Sequence, residues 1–198
     1  MHFMVQSAVS RTDRRRATAL RISECAQQLT DTHGLDGFTL EDLAQAAGVS
    51  RRTLFNYFPG KVDAVLGPDP DVTPQARDVF RAGGPHRDLV EDLAVLAHTM
   101  LTDVPAREAV TLQRRLLRSN PRLLAGAIER FEQMSEHLVA EILTREGPAF
   151  DADRARVAIR LLSALLEVSL DRFLTDPAQR DVADLFTDSL RTARELLA

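Results

Sequence analysis

Several things are scarce in this chain. Of 198 residues, one is cysteine (Cys25), none is tryptophan, one is tyrosine (Tyr57) and one is lysine (Lys61). A single cysteine excludes an internal disulfide and a thiolate cage for a metal, and it fits a reducing cytoplasm. No apolar run approaches the ~20 residues of a membrane span, so a soluble, cytoplasmic protein with no membrane partner is expected. Residues 1–10 lack the basic start and long apolar centre of a signal peptide. The catalytic signatures are missing too: there is no Gly-rich phosphate loop, no Gly-x-Ser-x-Gly and no His-x-x-x-His pair. Carboxylate pairs such as Asp69/Asp71 and Asp151/Asp153 flank helical segments, where capping accounts for them. No enzymatic activity, catalytic residue, metal ligand or cofactor is therefore expected.

What is present reads as globular. Hydrophobic residues make up 44% of the chain and charged ones 27%, which argues against wholesale disorder. The formal net charge of −4 taken whole argues against nucleic acid, but its distribution does not. Residues 1–66 carry 8 basic and 7 acidic side chains, against 17 and 22 in residues 67–198. The basic residues of the first segment are clustered: Arg11, Arg14, Arg15 and Arg16 in one group, Arg51, Arg52 and Lys61 in another.

Periodicity is helical throughout, and no alternating run is long enough for a strand. The spacing predicts helices over 15–32, 39–47, 51–58 and 61–66, then over 74–82, 86–103, 106–119, 121–146, 152–175 and 177–197. Gly67-Pro68-Asp69-Pro70 is the expected boundary between an N-terminal domain, 1–66, and a helical domain, 67–198.

The segment from Thr39 to Phe58 reads TLEDLAQAAGVSRRTLFNYF. Thr39 with Asp42 forms a capping-box start, and Ser50 caps the next helix. Leu43, Ala44 and Ala47 line the inner side of the first helix, with Ala44 small where a second helix crosses. Gly48 supplies the positive φ of the turn. Val49 plugs the gap, while Leu54 and Phe58, four apart, anchor the second helix. Ser50, Arg51, Arg52, Thr53, Phe55 and Asn56 are left at the cap, facing outward or to the side. Such a helix fits a DNA major groove, where arginine pairs with guanine edges and apolar groups touch thymine methyls.

With its flanks, GFTLEDLAQAAGVSRRTLFNYFPGK resembles the N-terminal domain of the TetR family of bacterial transcriptional regulators, over about residues 16–66. The resemblance implies an all-α protein: a three-helix DNA-binding domain with a helix-turn-helix, followed by a C-terminal helical bundle for ligand binding and dimerisation. It puts Arg51, Arg52 and Thr53 on bases or nearby phosphates, and Phe55 on the groove-facing side. Thr39, Tyr57 and Lys61 fall where the family anchors the phosphate backbone. Lys61, a cation at a helix N-terminus, also needs an anion to offset it, which a phosphate would supply. Two readings stand for Arg14, Arg15 and Arg16: a basic extension along DNA, or a solvated helix end.

In the second domain the resemblance implies an effector pocket and a dimer interface. Stripes at Leu89, Leu93, Leu96 and Met100, and at Leu124, Ile128, Phe131 and Met134, are candidate linings. Gln113, surrounded by apolar neighbours on its helical face, needs a partner in the backbone or in a ligand. The ligand-binding candidates are thus Leu96, Met100, Gln113, Phe131 and Met134. Apolar residues cover more than one face of 152–175, and together with 177–197 this helix suits a four-helix dimer bundle. Leu161, Leu165, Val168, Phe186 and Leu190 are the expected interface.

The function expected is that of a TetR-like repressor. It binds a palindromic double-stranded DNA operator as a homodimer and is released by a small lipophilic effector. The alternative is a DNA-binding protein whose bundle only dimerises or binds a protein partner. A helical enzyme with a vestigial DNA-binding head is a third reading.

Overall fold

A computed structural model describes the chain except Met1, Asp71, Thr102, Asp103, Pro105 and Ala198, and gives the backbone alone for residues 2–12 and 197. Among the described residues all regular structure is helical. The helices are α1 (His2–His33), α2 (Leu40–Ala46), α3 (Arg51–Tyr57), α4 (Lys61–Leu66), α5 (Pro74–Arg81), α6 (Leu89–Leu101), α7 (Arg107–Ser119), α8 (Pro121–Glu146), α9 (Ala152–Thr175) and α10 (Val182–Leu197). The chain divides into two compact units. One comprises Met1–Asp69 and Glu108–Glu129, the other Pro70–Arg107 and Arg130–Ala198.

The first unit is built on α1, whose Ala19, Ile22 and Ala26 are buried with Ala64 and Val65 of α4. Leu43, Ala44, Ala47, Leu54 and Phe58 complete the helix-turn-helix side of the same core. Leu116 of α7 and Leu123 of α8 are buried there as well, at 4% and 0% exposure, with Leu112 and Leu117 packed around them. This is why Glu108–Glu129 belongs to the first unit: its apolar face closes that core. Asn120 starts α8 by accepting hydrogen bonds from the backbone N–H groups of Arg122 and Leu123, with Pro121 at the first helical position. The last carbonyls of α4 are satisfied by two glutamines. Gln27 donates to Val65 O at 3.0 Å and Gln113 to Leu66 O at 3.3 Å.

In the second unit, Phe80, Leu93, Leu96, Val139, Ile142, Ala155 and Ile159 form one core. Val182, Leu185, Phe186 and Leu190 are the buried face of α10. A charge pair is buried here too. Arg145 Nη2 lies 2.5 Å from Asp92 Oδ2, and their side chains are 4% and 0% exposed. Asp92 Oδ1 also accepts the His86 backbone N–H at 2.7 Å, and Phe80 stacks under the guanidinium at 4.8 Å.

Several helix limits differ from those expected. The first helix begins at His2 rather than at Arg15, since no glycine or proline precedes Arg15 to stop it. α6 begins at Leu89, not 86, because Arg87 has φ 61° and Asp88 accepts the Glu91 N–H as a cap. α10 begins at Val182, not 177. There the Asp176 carboxylate accepts the backbone N–H groups of Ala178 and Arg180 and holds a turn in which Gln179 has φ 57°.

Candidate nucleic-acid interface

The helix-turn-helix is assembled from local signals. Thr39 Oγ1 accepts the Asp42 N–H at 3.1 Å, while Asp42 Oδ2 accepts the Thr39 N–H at 2.8 Å, so the capping box is closed both ways. These hydrogen bonds from Thr39, backbone first and hydroxyl second, hold the Asp42 carboxyl below the usual carboxylate range. The turn is made at Gly48, φ 64°, and Val49 N–H returns to Ala44 O at 2.9 Å. Ser50 then caps α3 by accepting the Thr53 N–H at 3.0 Å, and the two hydroxyls also pair at 2.7 Å.

With Leu54 and Phe58 buried at 0% and 4%, α3 can rest on the core in one orientation only. Arg51, Arg52, Phe55 and Asn56 are exposed together on its far side, and Thr53 and Tyr57 are half-buried at its flanks. The Arg51 guanidinium lies 5.6 Å from the centroid of the Phe55 ring. Arg15 lies at the same distance over Tyr57, so α1 brings one of its arginines to the end of α3. Arg14 is exposed and Arg16 half-buried, while the side chain of Arg11 lies outside the described residues.

Two of the anchoring candidates are engaged internally. Lys61 Nζ donates to Phe38 O at 2.8 Å and sits 4.9 Å from the Phe38 ring centroid, so the cation at the start of α4 is offset within the protein. Both donors of Thr39 go to Asp42: the backbone N–H and the hydroxyl, the latter at 2.7 Å.

The ligand-binding candidates scatter. Leu96 is buried and lines a cavity of about 260 Å³ with Ala76, Phe80, Asp92 and Val95. Another cavity of about 250 Å³ lies among Ser135, Val139 and Leu143 of α8 and Arg156, Ile159 and Arg160 of α9. Met100, Phe131 and Met134 are half-buried and line neither cavity, and Phe131 carries the Arg160 guanidinium at 5.0 Å. Gln113 belongs to the first unit and spends its amide on Leu66 O. Leu124 and Ile128, expected on an inner stripe, are 47% and 54% exposed.

The dimer candidates split as well. Leu161 and Val168 are exposed at 53% and 50%, and Leu165 is half-buried. Phe186 and Leu190, at 2% and 8%, are already covered within the chain. Val157, 57% exposed, continues the α9 stripe one turn before Leu161. Sequence reasoning missed the Asp92–Arg145 pair. Its signal was an acidic residue set beside the apolar Leu89, Leu93 and Leu96. Among the described residues no helix is long and apolar enough to cross a membrane.

Residues 22–65 match the family described as bacterial regulatory proteins, tetR family. A protein of Mycobacterium tuberculosis, named as a mycofactocin biosynthesis transcriptional regulator, is 45% identical over 53 residues. That stretch is 26% of this chain and 27% of that protein, so the likeness spans about a quarter of the relative. Among solved structures, a TetR-family transcriptional regulator from Mesorhizobium loti superposes with a TM-score of 0.51 at 21% identity, covering 93% of this chain and 96% of that one. NalD, the secondary repressor of the MexAB-OprM multidrug efflux pump in Pseudomonas aeruginosa, gives 0.49 at 21% identity over 88% and 94%. The M. loti likeness is one of fold alone, whereas the family match over residues 22–65 spans the helix-turn-helix. Over residues 22–65, the part that holds the helix-turn-helix, the chain is similar to the TetR family of bacterial transcriptional regulators.

Proposed function

We propose that this regulator is a repressor that binds a near-palindromic operator as a homodimer, with α3 of each copy in a major groove. One observation carries the reading: Arg51, Arg52, Phe55 and Asn56 stand exposed together on a helix locked by buried Leu54 and Phe58. Arginine forks recognise guanine and asparagine recognises adenine. Tyr57 and Lys61 flank them as phosphate contacts. Ser50, Thr53 and Thr39 act through the caps that hold α2 and α3 rather than through free donors. Two such helices read half-sites about 34–36 Å apart, which requires a dimer. The exposed α9 stripe Val157, Leu161 and Val168, with half-buried Leu165 beside it, is the face offered to the second copy.

Selection of operator sequence from randomised duplexes, followed by binding isotherms at several salt concentrations, tests the reading. Sequence-specific binding weakened by Arg51→Ala supports it, and indifference to sequence overturns it.

Release by a small lipophilic effector is the part of the proposal with a competitor. The two cavities described in the second unit, about 260 and 250 Å³, lie below the roughly 300–1,000 Å³ typical of ligand pockets. Cavities of that size also suit the second reading, in which the bundle dimerises or binds a protein and no effector enters. Thermal-shift screening with apolar and aromatic compounds separates them: a saturable rise in melting temperature that also weakens operator binding supports an effector.

A further inference from the structure

We propose that Phe55 is the positioning residue for Arg51. Its ring holds the guanidinium in the plane from which Arg51 reads a guanine, so Phe55 sets base preference at a position that it need not touch. The inference rests on the DNA-binding reading above and adds the origin of its specificity.

Arg51 and Phe55 are four residues apart on α3 and so share one face of the helix. The guanidinium carbon lies 5.6 Å from the ring centroid, within the range of a cation–π contact. The first turn of α3 holds no acidic residue, and among the described residues the contact recorded for the Arg51 guanidinium is the Phe55 ring. The ring is therefore what restrains this arginine. Phe55 is 45% exposed, so the cation–π contact stands at the surface that would face the groove. The other polar groups of α3 lack such a platform. Among the described residues no ring lies under Arg52, and the Thr53 hydroxyl is turned back to Ser50 at 2.7 Å.

The chemistry of the stack suits guanine recognition. A cation–π contact occupies the flat face of the guanidinium and leaves its in-plane N–H donors free at the edge. Guanine presents O6 and N7 side by side in the major groove, and two parallel donors from one arginine match them. A long side chain must otherwise lose rotamer freedom when it makes that pair, and the ring removes part of this cost before DNA arrives. A ring that instead touched a thymine methyl would govern preference at its own base pair.

The experiment uses the full chain and a randomised operator library, comparing the wild type with Arg51→Ala, Phe55→Leu, Phe55→Tyr and the Arg51→Ala/Phe55→Leu double variant. Leucine keeps an apolar side chain at an exposed site but has no π face, and tyrosine restores the face. Arg51→Ala should flatten guanine preference at one position of each half-site by roughly ten- to a hundredfold. Phe55→Leu should flatten the same position by about two- to fivefold. The double variant should be no flatter there than Arg51→Ala alone, and Phe55→Tyr should keep the wild-type preference. Three results would overturn the proposal: Phe55→Leu shifts preference at a different base pair, leaves every position unchanged, or weakens all sequences alike. A wild-type chain that selects no sequence overturns the DNA-binding reading itself, a result visible before any variant is compared.

Discussion

The ammonium of Lys61 has three hydrogens, and the fold engages one of them on the Phe38 carbonyl 2.8 Å away. The clasp fixes the head group at the start of α4 and leaves donors for a phosphate. Lys61→Ala should therefore act on every DNA sequence alike and lower the slope of log affinity against log salt by about one. Binding isotherms from 50 to 200 mM salt measure it; a change in base preference would contradict the assignment. Asp42 gives a pH prediction. Its folded-state carboxyl titrates below the unfolded one, so the capping box adds stability above the ordinary aspartate range near pH 4 and loses it as pH falls through the depressed value. Acidification should open the α2 start in the wild type, read as a lower amide protection factor at Asp42 once the intrinsic rate at each pH is divided out. In Asp42→Asn the same amide should show no such acid-dependent step.

At the scale of elements, the contribution of α7 and the start of α8 to the DNA-binding core is the testable point. Leu116→Ala empties a site that is 4% exposed and should cost about 2–5 kcal/mol in denaturant unfolding. Gly126→Ala is a subtler case. Alanine normally favours a helix over glycine by about 1 kcal/mol. Here the added Cβ would lie 2.7 Å from Val62 Cγ1 and 3.4 Å from Leu66 Cδ1, and a β-branched valine has little room to rotate away. Overpacking should win, with a net loss of about 1–3 kcal/mol by the same measurement. These elements also mark how far the sequence was legible. The caps at Thr39 and Ser50 and the turn at Gly48 act over three or four residues, so the helix-turn-helix could be read directly. The partners of Gln113 and Lys61 lie 47 and 23 residues away. Periodicity says which side of α7 is apolar, but not which core that side will close. For the same reason Phe186 and Leu190 read as interface residues when α9 and α10 already bury them. Cavities were the least legible of all, because their walls are set by how side chains from distant helices fill space.

For the whole molecule, the proposed dimer rests on the open stripe of α9. Val157, Leu161 and Val168 recur at spacings of four and seven, each at least half exposed. Paired Leu161→Asp and Val168→Asp changes should give a monomer by sedimentation and reduce operator affinity with it, since a single recognition helix reads only half a site. If the double variant stays dimeric, the second copy docks elsewhere. The membership of Glu108–Glu129 in the first unit bears on heredity as much as on mechanics. A recombination event in the linker around Gly67-Pro68-Asp69-Pro70 would pass on a head without Leu116 and Leu123, and with the carbonyl of Leu66 stripped of its Gln113 donor. The compact unit that carries the helix-turn-helix is thus not a contiguous cassette. Swapping its specificity onto another body, in evolution or at the bench, requires two segments of the gene to travel together.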